Sequence, residues 1–272
     1  LKATNRLVRS PETGVAPTTE TPKHKMNSHL FYISPKNFAR LKDDCAGQPG
    51  VDDYDHHRIS GNDMVSALIW RSLATARLSA KGSANEPGVS DGPEEQNLPA
   101  RLEMALNGRP NFSTALPPSY LGNVVFIHQS YLSLSKLTSA QTTISDVARV
   151  IRHDRSHIEP SSILDAYTLV KRIPDYDQLK RRFTAVEEYD IKISSLLRLP
   201  TDINFGDDGF KNNGRPEAMR PMMGRFEGCF RLCFVLPRKS YGGVEFVVSL
   251  YDDELEQLLV DKEFGNYAMF LS

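Results

Sequence analysis

Disulfide chemistry has almost no raw material in this sequence. Its 272 residues include three cysteines, Cys45, Cys229 and Cys233. They are too few and too oddly counted for a disulfide framework, which favours a reducing, cytoplasmic setting. No stretch approaches the roughly 20 apolar residues of a membrane-spanning helix, and the residues from Leu1 to Arg6 contain no apolar signal core. Charge of one sign is not in excess either, since 33 basic against 34 acidic residues leave a formal charge of -1. No global field therefore draws nucleic acid or an anionic membrane, and an anionic ligand needs a local site. Internal repeats, a strict βαβ rhythm and a Gly-x-Ser-x-Gly nucleophile elbow are all missing. The chain does not begin with Met, a hint that something precedes it.

What is present is ordinary globular composition, 40% hydrophobic and 25% charged, which argues against disorder, collagen-like repeats and coiled coils. The length suffices to bury one sizeable core or two small ones. Residues 1–27, with Pro11, Pro17, Pro22 and many Thr and Ser, read as an extended linker, and residues 28–272 as one domain. Leu30-Phe31-Tyr32-Ile33 suits a buried strand, after which Ser34-Pro35 caps and opens a helix through Leu41. Apolar residues recur at helical spacing over 62–78, with Asn62 or Asp63 as cap. Residues 81–99, rich in Gly, Pro and acids, read as a mobile surface loop. A strand at 123–128 precedes helices over 143–158 and 162–183, the second interrupted at Pro174. A strand at 191–197, a hairpin of 229–236 with 244–250, and a last helix at 254–264 behind Asp252 or Asp253 complete the pattern. The mixture supports an α/β or α+β sandwich, a mixed β-sheet flanked by helices.

Four separated segments are distinctive. Ile59-Ser60-Gly61-Asn62-Asp63 runs into a helix that reaches Ile69-Trp70-Arg71. Asn107-Gly108-Arg109 is followed by Leu116-Pro117-Pro118-Ser119-Tyr120-Leu121-Gly122-Asn123. Ile193-Ser194-Ser195 leads through Leu199-Pro200 to Ile203-Asn204-Phe205-Gly206. Gly214-Arg215-Pro216-Glu217-Ala218-Met219-Arg220-Pro221 precedes Val235-Leu236-Pro237-Arg238 and Gly242-Gly243-Val244-Glu245. On these segments, in this order across residues 29–267, the chain resembles the C-terminal half of the BAHD-type acyl-CoA-dependent acyltransferases, the fungal branch best. The resemblance implies a chloramphenicol-acetyltransferase-like domain, acyl-CoA as co-substrate, no metal and no permanently bound cofactor. It also implies transfer of an acyl group, acetyl first among the candidates, to a hydroxyl of a secondary metabolite.

Departures accompany the likeness. Asn204 stands where the family has Asp, Asp207 where it has Trp, and Leu196 where plant members often have Trp. The family's general base lies in a His-x-x-x-Asp motif, yet none of His24, His29, His56, His57, His128, His153 or His157 has Asp four residues later. Because the family carries that motif upstream of a crossover linker, the resemblance places the histidine on an N-terminal half outside this chain. That half is then the expected partner, and this chain alone is expected to be inactive.

Acyl transfer from a thioester to a hydroxyl needs a base, an oxyanion donor and a groove for the pantetheine arm. By the resemblance, Ser194 falls where the family has a hydroxyl near the oxyanion; a strand serine that merely bonds locally is the alternative. Ser60 and Asn62, at a helix start, resemble contacts to CoA phosphates, since free N–H groups there attract anions. Simple capping is the competing role, for Asn62 more than for Ser60. Arg215 and Arg220 flank Pro216 in a loop and either meet CoA or an acidic substrate or stay solvated. Asn204, Phe205, Gly206, Gly122 and Asn123 are structural motif positions, with Gly206 permitting a turn closed to other residues. His153 and His157, at i and i+4 of a helix, can face one metal, but with no third ligand apparent they read as a solvated Arg/His face. Cys229 and Cys233 share one strand face and read as small buried apolar residues, and Asp207-Asp208 as a polar turn. Two other functions stay open: a non-catalytic subunit or pseudoenzyme of the same fold, and a condensation-type acyltransferase whose donor rides on a carrier protein. Neither nucleic acid nor membrane is an expected partner.

Overall fold

A computed structural model describes residues 26–46, 58–84, 98–112, 116–117, 119–176, 189–200, 203–206, 212–221, 231–239 and 242–272. Its strands are β1 (Asn27–Ile33), β2 (Pro99–Asn107), β3 (Val125–Ser133), β4 (Ile191–Ser195), β5 (Leu232–Val235), β6 (Val244–Leu250) and β7 (Ala268–Phe270). They form one seven-stranded sheet in the order β3-β2-β4-β5-β6-β1-β7. β2, β4 and β5 are parallel neighbours, and the outer pairings are antiparallel. The C-terminal ends of β2, β4 and β5 therefore open on one rim.

Strand alternation divides the sheet into two faces. Phe31, Ile33, Ile191, Ile193, Cys233, Val235, Phe246 and Val248 belong to the main core. Ser194, Phe234, Val247 and Leu30 share a rung on the opposite face, where Leu236 and Val247 anchor a second, small apolar cluster.

The helices are α1 (Pro35–Cys45), α2 (Gly61–Ala84), α3 (Leu134–Thr138), α4 (Ile144–Ser156), α5 (Pro160–Lys171), α6 (Asp252–Val260) and α7 (Lys262–Gly265). α2 is the spine of the main core. Val65, Leu68, Ile69, Trp70 and Leu73 are each at most 2% exposed, on several sides of the helix, as expected of a helix enclosed by neighbours. α4 and α6 pack against it. Each fully buried side chain of this size contributes about 1.5–3 kcal/mol relative to exposure. α4 shows the one-sided pattern instead, burying Val147, Ala148 and Ile151, and Thr143 and Asp146 close a reciprocal capping box at its start.

Toward the C-terminal end of α2 the buried Arg77 donates to the Asp190 carbonyl at 3.0 Å and lies 3.9 Å from Glu254, which also pairs with Arg231. Burial, then the Arg231 charge, pulls the Arg77 guanidinium down to about 9. These four residues tie the starts of β4, β5 and α6 to α2, and so fix where the parallel strands begin.

The architecture matches the mixed sheet flanked by helices, and several boundaries differ from the pattern expected. β1 starts at Asn27, which pairs with Leu250, so the last residue assigned to the linker is in the sheet; residues 1–25 lie outside the described residues. α2 runs to Ala84, and Pro99 opens β2, so both ends of the expected surface loop 81–99 are regular structure, while 85–97 lie outside the described residues. β2 itself is the main addition. Pro99 is tolerated there because a strand's first residue need not donate to the ladder. The last helix is split in two because the Asp261 carboxylate accepts from the Glu263 and Phe264 amides and starts α7. α5 opens at Pro160 and ends before Pro174. Cys233 is buried, and burial pushes its thiol up; Cys229, Asp207 and Asp208 lie outside the described residues.

Candidate functional site

Open α/β sheets present ligands at the carboxyl ends of their parallel strands, and here that rim collects all four sequence segments. β2 ends in Asn107-Gly108-Arg109, β4 in Ser194-Ser195, and β5 runs on into Leu236-Pro237-Arg238. β6, antiparallel to β5, starts at the same rim from Gly242-Gly243. The Arg238 guanidinium sits 4.7 Å from the Phe38 ring centroid, and a Cβ on Gly61 would lie 3.3 Å from Arg238 Nη2. The N-terminus of α2 therefore reaches the rim too.

Ser194 is half-buried on the face away from the helices. Its neighbours along the rung, Phe234 and Val247, are apolar. Among the described residues none hydrogen-bonds its hydroxyl. A hydroxyl held by a central strand, beside apolar groups and without an acceptor among the described residues, is available to donate to an incoming oxygen.

At the start of α2, the residue at the cap is Ser60, not Asn62 or Asp63. The Ser60 hydroxyl donates to Asp63 Oδ2 at 2.7 Å, its amide donates to the same oxygen at 2.9 Å, and its oxygen lies 3.3 Å from the Asp63 amide. Asp63 is fully buried and its other oxygen takes Arg155 Nη1 at 2.6 Å. The expected preference between the two residues is inverted: Ser60 is committed to capping, while the Asn62 side-chain oxygen is buried without a hydrogen-bond partner. Arg238, beside Gly61, adds positive charge to the positive end of a 24-residue helix.

The remaining motif residues build the rim's loops. Arg109 donates to the Tyr120 and Gly122 carbonyls at 3.0 and 2.9 Å, and Asn123 Oδ1 accepts from the Val125 amide at 3.2 Å. Asn204 Oδ1 accepts from the Gly206 amide at 2.7 Å, and Gly206 takes φ 90°. Phe205 is exposed, and its amide donates to the Gly214 carbonyl at 2.9 Å. Arg215 is exposed. Arg220 is also exposed, yet its guanidinium is ion-paired at 2.6 Å with Glu245, a 5% exposed residue of β6 that Lys239 also approaches at 3.0 Å.

Three residues of the site carried no individual role in the sequence pattern: Arg109, Arg238 and Glu245. Glu245 had a readable signal, being a lone charge in the apolar run Val244-Glu245-Phe246-Val247-Val248, which demands a cationic partner. Nothing about Arg238 in one dimension reveals that it meets Gly61.

A mixed sheet with helices packed on one face, and motif loops gathered at the ends of its parallel strands, defines a chloramphenicol-acetyltransferase-like domain. The family model described as the transferase family matches residues 5–264, and the chain belongs to that family, of BAHD type. It is similar to the isocyanide synthase-NRPS hybrid crmA of Aspergillus fumigatus, 33% identical over 89% of this chain and 15% of that protein. It is also similar to the eremophilane O-acetyltransferase ORF8 of Penicillium roqueforti, 27% identical over 89% of this chain and 47% of that enzyme. Among solved structures, F. sporotrichioides TRI101 complexed with coenzyme A and T-2 superposes with a TM-score of 0.70 at 22% identity, covering 98% of this chain and 56% of that one. The chain thus spans about half the length, or less, of the relatives it matches. Among the described residues no helix is long and apolar enough to cross a membrane.

Proposed function

We propose that this chain is the C-terminal half of an acyl-CoA-dependent O-acyltransferase that moves an acyl group, acetyl foremost, onto a hydroxyl of a secondary metabolite. The catalytic histidine comes from an N-terminal half outside the chain, and this chain alone turns nothing over. The observation that carries the reading is the convergence of four segments, far apart in sequence, on one rim that holds the Ser194 hydroxyl, which has no hydrogen-bond partner among the described residues.

In the reaction, the histidine takes the alcohol proton as the alcohol oxygen attacks the thioester carbonyl. The carbonyl electrons move onto its oxygen, to which the Ser194 hydroxyl donates. Collapse of the tetrahedral intermediate breaks the C–S bond, and the departing thiolate takes the proton from the imidazolium. No covalent acyl-enzyme forms. The α2 terminus with Ser60, Asn62 and Arg238 faces the CoA phosphates, using free backbone N–H groups rather than the occupied Ser60 hydroxyl. Arg215 is free to follow the ligand, whereas Arg220 serves the rim through Glu245.

One observation favours a second reading. The crmA relative is a synthase-NRPS hybrid, and in the second reading the donor of this chain is an acyl group on a carrier protein. The test is a donor comparison on the intact protein, including any upstream His-x-x-x-Asp segment. CoA release from acetyl-CoA that requires an alcohol and disappears when that histidine becomes Ala supports the first reading. Turnover with an acyl-carrier donor alone transfers the case to the second, and absence of CoA binding by calorimetry overturns the CoA reading.

A further inference from the structure

At the C-terminal end of α4, His153 and His157 bring their rings to 4.4 Å between centroids. Their hydrogen bonds determine their tautomers. His157 Nδ1 lies 2.8 Å from the His153 carbonyl oxygen, and His153 Nδ1 lies 3.4 Å from Asp154 Oδ1. Carbonyl and carboxylate oxygens only accept, so in the neutral form of each ring the proton sits on Nδ1 and Nε2 carries the lone pair. Among the described residues neither Nε2 has a protein partner. An imidazole whose Nδ1–H is held by a carbonyl or carboxylate, with Nε2 left open, is the arrangement found in metal-binding histidines.

Both rings are exposed, and they border a surface cleft completed by Asp154 and, from β3, by His128, Gln129 and Tyr131. Two arginines of α4 are already paired, Arg155 with Asp63 and Arg149 with Asp146, and Asp154 supplies negative charge beside the pair. Metal–imidazole bonds of about 2.0–2.1 Å require the two Nε2 atoms roughly 3 Å apart, and ring centroids 4.4 Å apart bring the two imidazoles within reach of one ion. No group of three His, Cys, Asp or Glu that could hold a metal occurs among the described residues, so the described residues offer this chelate two imidazole ligands, with water at the other positions.

We propose that His153 and His157 bind an exchangeable transition-metal dication through their Nε2 atoms, Cu²⁺ more tightly than Ni²⁺ or Zn²⁺. Imidazole donors and the divalent affinity order give that ranking, while Mg²⁺ and Ca²⁺, which want oxygen ligands, are excluded. His157 caps α4, so the chelate pins the turn from which Arg155 reaches Asp63. Metal that binds only the folded form raises its stability by mass action. The site takes no part in acyl transfer.

The test is calorimetric titration of the intact, chelator-treated protein at neutral pH with Cu²⁺, Ni²⁺, Zn²⁺ and Mg²⁺, alongside H153N, H157N and the double variant. Both residues are exposed, and circular dichroism verifies that each variant folds. The expected result is one Ni²⁺ lost from the stoichiometry in the double variant, each single variant weaker by more than about tenfold, no Mg²⁺ heat, and a Ni²⁺-dependent rise in Tm that the double variant lacks. Unchanged Ni²⁺ affinity and stoichiometry in the double variant, or no Ni²⁺ binding to the parent protein at millimolar metal, overturns the proposal. Neither result bears on the acyltransferase reading, which is measured by CoA release.

Discussion

Asp63 of α2 and Arg155 of α4 meet at 2.6 Å, the carboxylate fully buried and the guanidinium about one quarter exposed, 24% at its side chain. The same carboxylate takes the amide and hydroxyl of Ser60. One side chain therefore terminates the central helix, orients a rim serine and fastens α4. Arg155→Ala leaves a buried carboxylate without its cation and should cost about 3 kcal/mol, read as a lowered urea midpoint. Ser60→Ala removes the hydroxyl that caps the helix and also donates to the Asp63 carboxylate, and should cost about 1–2 kcal/mol. In a double-mutant cycle the two losses should not add, because both act on Asp63; strict additivity would show that the carboxylate does not couple them.

Ser194 gives the sharpest catalytic expectation. Its hydroxyl makes no protein hydrogen bond among the described residues, so Ser194→Ala should change stability by no more than about 0.5 kcal/mol. In the complete enzyme kcat should fall roughly 10²–10³-fold, with the KM for acyl-CoA nearly unchanged because the contact forms only in the transition state. Unchanged kcat would remove Ser194 from the chemistry and leave it a strand residue.

The fold was legible wherever a local pattern was strong, and the site wherever a motif was contiguous. α4 is readable because its apolar face and the Thr143–Asp146 box lie within one turn of sequence. β2 has a comparable alternation in Ala100, Leu102, Met104 and Leu106, but it abuts the Gly- and Pro-rich stretch before it and the motif after it, so no separate turn signal marks its ends. β7 is three residues long and exists only because β1 offers an edge to pair with. The contacts of Arg238 with Gly61 and of Arg220 with Glu245 depend on parallel strand ends meeting at one rim. Chain order carries no trace of that.

His128 is 6% exposed on β3, its Nε2 3.1 Å from the Ser130 hydroxyl. Burial pulls it down to about 4, Asp154 and Asp63 raising it slightly and Arg155 lowering it. The unfolded chain, with His near 6.5, then binds more protons than the folded one between those values. Stability contributed by neutral His128 is complete above about pH 6.5 and is lost as pH falls toward 4. The loss should be on the order of 3 kcal/mol. Denaturant unfolding across this window should show the slope, and His128→Gln, which cannot titrate, should flatten it relative to the parent. An equal slope in both proteins would assign the effect to other groups, His29 first, which burial also lowers.

Gly214 sets the loop that follows β4. It adopts φ 71°, and a Cβ there would fall 2.3 Å from the Gly206 carbonyl oxygen and 2.5 Å from Asn204 Oδ1. Both neighbours are fixed, since Asn204 Oδ1 holds the Gly206 amide at 2.7 Å and the Gly214 carbonyl holds the Phe205 amide at 2.9 Å. Gly214→Ala should therefore separate the two segments, at a cost above about 1 kcal/mol, and speed chymotryptic cleavage after the exposed Phe205. Asn204→Asp keeps the accepting oxygen and should behave like the parent protein, although Asp is the residue expected from the family pattern. Asn204→Ala removes the acceptor; because the loop is exposed and water replaces the bond, the cost should stay near 1 kcal/mol, with proteolysis intermediate between parent and Gly214→Ala. If Asn204→Ala and Asn204→Asp cleave at the same rate, the side-chain oxygen is not what holds Gly206, and the close fit of Gly214 against the Gly206 backbone holds the loop by itself.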